Sequence, residues 1–320
     1  MIPEFPEFKQ LAFSDKEEIE TFIHGLPVYS DFDFASLWSW NVKDDMKVSQ
    51  LHHNLVLRFT DYLTGEPFYT LIGSSAKNET IQQIMAYSEE QGCAAVLHLV
   101  PEEVLQDLDP EQFDITESRD HFDYILSLER YLDFSGGKLK SRRNFFNSFK
   151  KHYPDYQTVM LDLTDPETQT RVTDLYRNWQ NQKGFLSLSE AFAYDRFLHA
   201  AKDLEHIAIG LVVEGKLIAF HVSALPPGDH ANGLFEKADI AYPGVYQALM
   251  HEVAKVLIAK GKHYLNYEQD LGIESLRQAK MAFDPSGFQK KYSVSRKGAF
   301  NHSAELDGNP QSSTESASTA

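Results

Sequence analysis

VYQALMHEVAKVLIAKGKHYLNYEQDLGIESLRQAK, residues 245–280, decides the fold. Val245, Leu249, Val253, Val256 and Leu257 recur at helical spacing and predict a helix over 245–260. Pro243 suits its first turn and Gly261 its end. Residues 264–267 then read as a strand and 273–279 as another helix.

The same order occurs earlier in the chain. Residues 55–59 (LVLRF) and 68–72 (FYTLI) read as strands joined by a loop containing Gly65 and Pro67. Residues 78–91 predict a helix with Ile81, Ile84, Met85 and Ser88 in one stripe and Gly92 at its C-terminal cap. A buried strand over 94–100 follows, and Pro101 opens a short acidic helix. In the later copy, apolar runs 206–213 and 217–225 flank Glu214-Gly215-Lys216, a hairpin signal. Gly92 and Gly261 are 169 residues apart, about half the chain. Helix–glycine–strand order is common in α/β proteins, but here both copies also follow a strand hairpin, which favours a structural duplication. The expected division is 1–134, 135–298 and a tail over 299–320. Seven of the last twenty residues are Ser or Thr and Leu306 is their one large aliphatic, so the tail is expected to be disordered.

A chain of 320 residues has the length of two domains or one large one, and 42 % hydrophobic residues supply a sizeable core. The single cysteine, Cys93, forbids an internal disulfide and a cysteine-rich zinc site, which fits a reducing, cytoplasmic setting. Cys93 precedes an apolar run and reads as a buried structural thiol. No stretch approaches the roughly 18 apolar residues of a membrane helix. The first ten residues, MIPEFPEFKQ, resemble no secretory signal.

The net charge of −17 argues against a protein that coats DNA. It hides two basic islands. Residues 131–153 and 277–297 each carry net +5, leaving −27 on the rest. Each island is either a solvated helix face or a site for phosphate or carboxylate. Their aromatics, Phe145, Phe146, Phe149 and Tyr292, read as bases' stacking partners or, on a helix, as a buried stripe.

No nucleophile elbow, phosphate-binding Walker loop or dinucleotide glycine fingerprint occurs. None of the thirteen histidines forms a His-x₃-His pair, and adjacent His52 and His53 would face opposite sides of a strand. Metal catalysis is not expected. Within 263–280, a continuing strand would point Asn266, Glu268 and Asp270 one way and Tyr267 and Gln269 the other. Glu268 at a strand end can accept a proton from an amine nucleophile. Arg277 and Lys280, three residues apart on one helix face, can equally hold Glu268 and Asp270 as structural ion pairs.

Three segments carry a family resemblance: SDFDFASLWSW (30–40), GGKLKSRRNFFNSFKKHYPDY (136–156) and NYEQDLGIESLRQAKMAFDP (266–285). They resemble the bacterial proteins that share the C-terminal domain of phosphatidylglycerol lysyltransferases, and the matches span most of the expected folded part. The resemblance implies two GNAT-like (acyl-CoA N-acyltransferase) domains in tandem, related to the Fem-type aminoacyl transferases. It implies transfer of an aminoacyl or acyl group, from aminoacyl-tRNA or acyl-CoA, to an amine or hydroxyl. In the lysyltransferases the acceptor is a lipid; the lack of a membrane-spanning segment here argues for a small-molecule or peptide amine instead. A GNAT pyrophosphate loop aligned on Gly244 places Ala241 at its Arg/Gln position and Tyr246 at its second small position, so one of three positions fits. That favours aminoacyl-tRNA over coenzyme A.

The expected site lies at splayed strands of the second unit. Glu268, with Asn266 and Asp270, would serve as general base or orient the acceptor amine. Arg142, Arg143, Lys280 and Lys291, with Gly244, would engage donor phosphates. No resident cofactor is needed, because transfer from an ester requires positioning and oxyanion stabilisation rather than a covalent nucleophile. The alternative is a non-catalytic protein on the same fold that binds a phosphorylated ligand or RNA.

Overall fold

The computed structural model describes residues 1–61, 64–106, 108–183 and 188–299. The tail expected over 299–320 lies outside them from residue 300 onward. The strands are β1 (Lys9–Gln10), β2 (Lys47–Leu51), β3 (Asn54–Thr60), β4 (Pro67–Ile72), β5 (Val96–Pro101), β6 (Phe113–Glu117), β7 (Asp123–Ser127), β8 (Gln157–Met160), β9 (His206–Val213), β10 (Lys216–Ala224), β11 (His230–Ala238), β12 (Tyr264–Asn266), β13 (Gly287–Gln289) and β14 (Lys291–Arg296). The helices are α1 (Lys16–Ile23), α2 (Phe34–Trp40), α3 (Lys77–Glu90), α4 (Glu102–Leu105), α5 (Lys140–His152), α6 (Pro166–Lys183), α7 (Leu188–Ala200), α8 (Val245–Ala259) and α9 (Glu274–Met281).

The strands form two seven-stranded sheets, ordered β1-β2-β3-β4-β5-β14-β6 and β8-β9-β10-β11-β12-β7-β13. Position for position they match. In each, an antiparallel meander (β2-β3-β4 or β9-β10-β11) crosses through a helix (α3 or α8) to a parallel neighbour (β5 or β12). The two helix ends are alike as well. Cys93 N–H donates to Ser88 C=O and Lys262 N–H to Leu257 C=O, each reaching back five residues over a glycine of positive φ. The fold is the tandem α/β architecture expected.

One feature departs from two self-contained halves. The sixth strand of each sheet comes from the other part of the chain: β14 fills the place between β5 and β6, and β7 the place between β12 and β13. A division after residue 134 therefore does not separate the sheets. The largest core is shared too. Leu55, Leu57 and Phe59 of the first sheet and Phe220 and Val222 of the second pack into one cluster with α2, α6 and α7. α3 covers the outer face of the first sheet, and α5 with α8 that of the second.

The predicted stripe Ile81, Ile84, Met85 and Ser88 is fully buried, as are Leu249, Val253 and Leu257. Val256, expected with them, is half-buried, and Cys93, expected buried, is also half-buried at the edge of the first core. His52 and His53 lie in the two-residue turn between β2 and β3, both at positive φ, rather than within a strand. Among the described residues no helix is long and apolar enough to cross a membrane.

The strand exchange makes a prediction. A chain ending at residue 290 lacks a central strand of the first sheet. Amides of β5 and β6 should lose most of their hydrogen-exchange protection, although about 175 to 195 residues separate them from the cut. Unchanged protection there would refute the exchange.

Candidate functional site

β11 pairs with β12 over three residues, Asn232 opposite Asn266 being the last. β11 then runs on to Ala238 against β10 alone, while the chain beyond Asn266 turns away, opening a splay between the strands. Glu268 (φ 56°) and Leu271 (φ 54°) take the left-handed region that side chains disfavour. The turn is held at its start. Asn266 Oδ1 accepts the Glu268 N–H at 2.9 Å, and Tyr124 exchanges backbone hydrogen bonds with Tyr267 and Glu268. The strand alternation expected over 266–270 therefore ends at Asn266, and its polar side chains go to three different environments.

Asn266 ties its strand to the neighbouring β7 and to the segment before α2. Its Nδ2 donates to Asp123 on β7 at 2.9 Å and to the Val28 carbonyl at 2.8 Å. Asp123 also accepts from Ser30 and, at 2.6 Å, from Lys291 Nζ on β14; Asp31 is the second carboxylate on the same ammonium. Lys291 is fully buried. Burial works against its charge, and Asp123 and Asp31 more than offset this and raise its pKa. This corrects the expectation that Lys291 binds donor phosphate: its ammonium is enclosed by carboxylates.

Asp270 is fully buried in a second ion-pair cluster. Arg277 donates to it at 3.0 and 2.8 Å, Arg119 at 3.1 Å, the Tyr124 hydroxyl at 2.5 Å and the Gly272 N–H at 2.9 Å. Burial alone would raise its carboxyl pKa, but the hydrogen bonds from Arg277, Tyr124 and Gly272 outweigh it and hold the pKa down at about 2. Of the two roles open to Asp270 in the sequence, the geometry is that of the structural ion pair, with its acceptor sites taken by protein donors.

Glu268 is the opposite case. Its half-buried carboxylate makes no hydrogen bond or close ion pair among the described residues. Burial pushes its pKa upward, opposed by the charge of Lys280. Lys280, nearly buried on α9, donates to the Tyr267 carbonyl rather than to a carboxylate. Burial pushes its ammonium pKa downward, opposed by Glu268. Burial thus pushes both groups toward neutrality while each charge favours the other's ionised form, a balance that lets the acid take up and release a proton.

The basic islands separate. In the later one, Arg277 pairs with Asp270 and Asp120, Lys290 with Glu117, Arg296 with Glu89 and Lys297 with Asp114, so most of its charge is neutralised within the fold. On α5, by contrast, Lys140, Arg142, Arg143, Lys150 and Lys151 have no carboxylate partner among the described residues. Arg142 donates to the Ala282 carbonyl at 3.1 Å and lies 5.3 Å over the Phe283 ring, which in turn packs on Tyr267. Arg143 donates to the Phe134 carbonyl at 3.2 Å. Gly244 caps α8 at φ 87°, and a Cβ there would lie 2.5 Å from the Phe145 carbonyl oxygen of α5. The close approach that requires glycine is thus between two helices, not between backbone and phosphate. Among the described residues no group of three or more His, Cys, Asp or Glu is placed to hold a metal.

The structure brings Asn266, Glu268 and Lys280 to the splay, with Arg142 on its α5 side, and assigns Asp270 and Lys291 to buried ion pairs. The sequence reading missed Asp31, Asp123 and Glu236. Asp31 and Asp123 lie far from Lys291 in sequence and carried no spacing signal. Glu236 sits on β11, a strand without the alternating apolar pattern that marks its neighbours.

A family model described as "Phosphatidylglycerol lysyltransferase, C-terminal" matches residues 25–295. Among solved structures, a conserved protein of unknown function from Bacteroides thetaiotaomicron is 26% identical, with a TM-score of 0.80 over 93% of this chain and 100% of that one. L-PGS from Bacillus licheniformis is 14% identical with a TM-score of 0.61, over 96% of this chain and 97% of that one. FemX is 10% identical with a TM-score of 0.57, over 90% and 96%. No curated protein sequence matches.

Asp270→Asn tests the ion-pair assignment. It leaves two arginines facing a neutral amide and should cost about 3–5 kcal/mol in urea unfolding. Because the folded-state pKa is depressed, this contribution is present above the unfolded value near 4 and disappears as pH falls from there toward about 2. Wild type should lose stability across that window, and Asp270→Asn should lose less.

Proposed function

The chain belongs to the family of the phosphatidylglycerol lysyltransferase C-terminal domain, and from that membership and the site's geometry we propose that it transfers an aminoacyl or acyl group to an amine or hydroxyl acceptor. The observation that carries the reading is Glu268, a carboxylate at the splay with no hydrogen-bond partner among the described residues and a pKa pushed upward by burial. The acceptor nitrogen attacks the donor carbonyl. The new C–N bond forms as the ester C–O bond (or thioester C–S bond) breaks. The proton lost by nitrogen passes to Glu268 and then to the leaving oxygen or sulfur. Lys280 tunes Glu268 by its charge, and Asn266 fixes the turn that presents it.

The donor is a phosphate-bearing molecule, an aminoacyl-tRNA or an acyl-CoA. The cations of α5 support an extended anion, because they have no carboxylate partner among the described residues and lie beside the site through Arg142. Gly244 packed against α5 supports aminoacyl-tRNA over coenzyme A, since a pyrophosphate loop needs that space open. The acceptor is a small-molecule or peptide amine, the setting cytoplasmic, and no DNA is involved. A non-catalytic protein that binds a phosphorylated ligand or RNA is the second reading, favoured by the same α5 cations.

The test is incubation of the full chain with labelled aminoacyl-tRNA or acyl-CoA and a panel of amines. Transfer should fall about 10²- to 10⁴-fold in Glu268→Gln with its unfolding curve unchanged. Since Glu268 acts only when deprotonated and burial raises its pKa, kcat/KM should climb with pH through the neutral range, and the substitution should remove that limb. Lys280→Met takes away the charge that holds the carboxyl down, so the limb should move to higher pH. Donor protection without turnover would establish the binding reading instead. A fully active Glu268→Gln would refute the assigned base.

A further inference from the structure

Four hydrogen-bonded side chains cross three adjacent segments beneath the splay. Ser223 Oγ lies 2.6 Å from His221 Nε2, and His221 Nδ1 lies 2.9 Å from Glu236 Oε2. The Tyr267 hydroxyl donates to Glu236 Oε1 at 2.6 Å. His221 and Ser223 are two residues apart on β10 and so share a face; Glu236 is the register partner of His221 on β11; Tyr267 is the first residue beyond β12. The chain therefore spans the gap where β11 and the departing segment separate. Beside it, β11 carries an extra residue, with Val222 opposite Phe235 but Ser223 opposite Gly233, a bulge of the kind that re-aims strand side chains.

The residue types are those of a Ser–His–Glu triad, but the order of burial is reversed. Ser223 and His221 are fully buried, so Ser223 has no access to a donor carbonyl and no acyl-enzyme forms there. Glu236 is the partly exposed end. One proton arrangement satisfies every partner: Ser223 O–H donates to Nε2, His221 Nδ1–H donates to Glu236, and Tyr267 O–H donates to Glu236. Ser223 fixes the His221 ring, and two of these donors, His221 and Tyr267, reach the carboxylate. Two of its roughly four acceptor sites are then filled and its position is fixed from both sides. Tyr267 links the two acids, since its hydroxyl bonds Glu236 and the next residue in the chain is Glu268.

We infer that Glu236 positions the attacking amine: its remaining acceptor sites receive N–H groups of the acceptor in the ammonium form, and His221, Ser223 and Tyr267 hold the carboxylate for that purpose. The inference rests on the transferase reading. It divides the work between two carboxylates. Glu236, restrained by two donors, anchors the cation. Glu268, whose carboxylate has no partner among the described residues, takes one proton from the ammonium to release the nucleophile and passes it to the leaving oxygen or sulfur. The second proton, shed by nitrogen as the C–N bond forms, returns to Glu268 and leaves to water. No further reactant enters the step.

Two measurements test it. In the full chain, the His221 ring resonances should shift on titration with ethylamine hydrochloride and not with ethanol, which has the same shape without the charge. Glu236→Gln should abolish the shift. In the transfer assay, Glu236→Gln should raise the KM for the amine about 10- to 100-fold, as expected for loss of a charged hydrogen bond, with the donor KM unchanged and kcat altered less than in Glu268→Gln. If Glu236→Gln does not fold, Ser223→Ala, which loosens His221, should change the amine KM in the same direction by a few-fold. An unmoved His221 resonance in wild type, or an unchanged amine KM in a folded Glu236→Gln, overturns the inference. A normal ethylamine response without turnover of any donor retains the amine site and removes the transferase reading.

Discussion

A lysine ammonium sealed from water is the constraint on which the rest depends. Lys291 sits on a strand of the first sheet, Asp123 on a strand of the second, and Asp31 in the segment before α2. The charge is tolerable only while both carboxylates are present, and removing one partner of such a buried pair typically costs about 3–5 kcal/mol. Its position sets that of Asp123, which holds the Asn266 amide, and the Asn266 carbonyl oxygen in turn holds the Glu268 N–H. The proposed base is thus located by a relay that begins in the other sheet. The exchanged strands and this ion cluster are two aspects of one arrangement, because β7 and β14 are the strands that carry Asp123 and Lys291.

Around the splay, like residue types serve unlike ends according to how fully they are bonded. Asp270 accepts five hydrogen bonds and is held ionised, so it contributes rigidity. The Glu268 carboxylate, two residues earlier, has no partner among the described residues and is pushed toward neutrality by burial. Glu236 lies between, with two partners and a fixed orientation. Cations follow the same rule. The lysines and arginines of 277–297 are mostly consumed by carboxylates, while those of α5 have no carboxylate partner among the described residues. Formal charge along a chain does not separate these cases; the distance to the nearest opposite charge does.

The duplication, the helices over 78–91 and 245–260 and the strands beside them were legible because each follows from local periodicity and a terminal glycine, which need only a few neighbouring residues. Glu268 and Asn266 were legible because they stand at a strand end. Lys291 was misplaced among ligand-contacting groups because Asp31 and Asp123 lie 260 and 168 residues away. The choice between two roles for Asp270 stayed open because Arg277 is only seven residues from it, whereas Arg119, which completes its cluster, is 151 away. His221 and Ser223 were hidden within an apolar run whose two-residue spacing marks a face but not what it meets.

By itself the sequence determined the layer type, the repeat, the family and the acidic body with its basic segments, since composition and short-range pattern carry these. Tertiary structure alone decided which strand each sheet borrows, which charges are spent on one another and which remain available. The physical reason is that charge neutralisation and hydrogen-bond saturation depend on separations of a few ångströms between residues far apart in the chain, and only folding sets those separations.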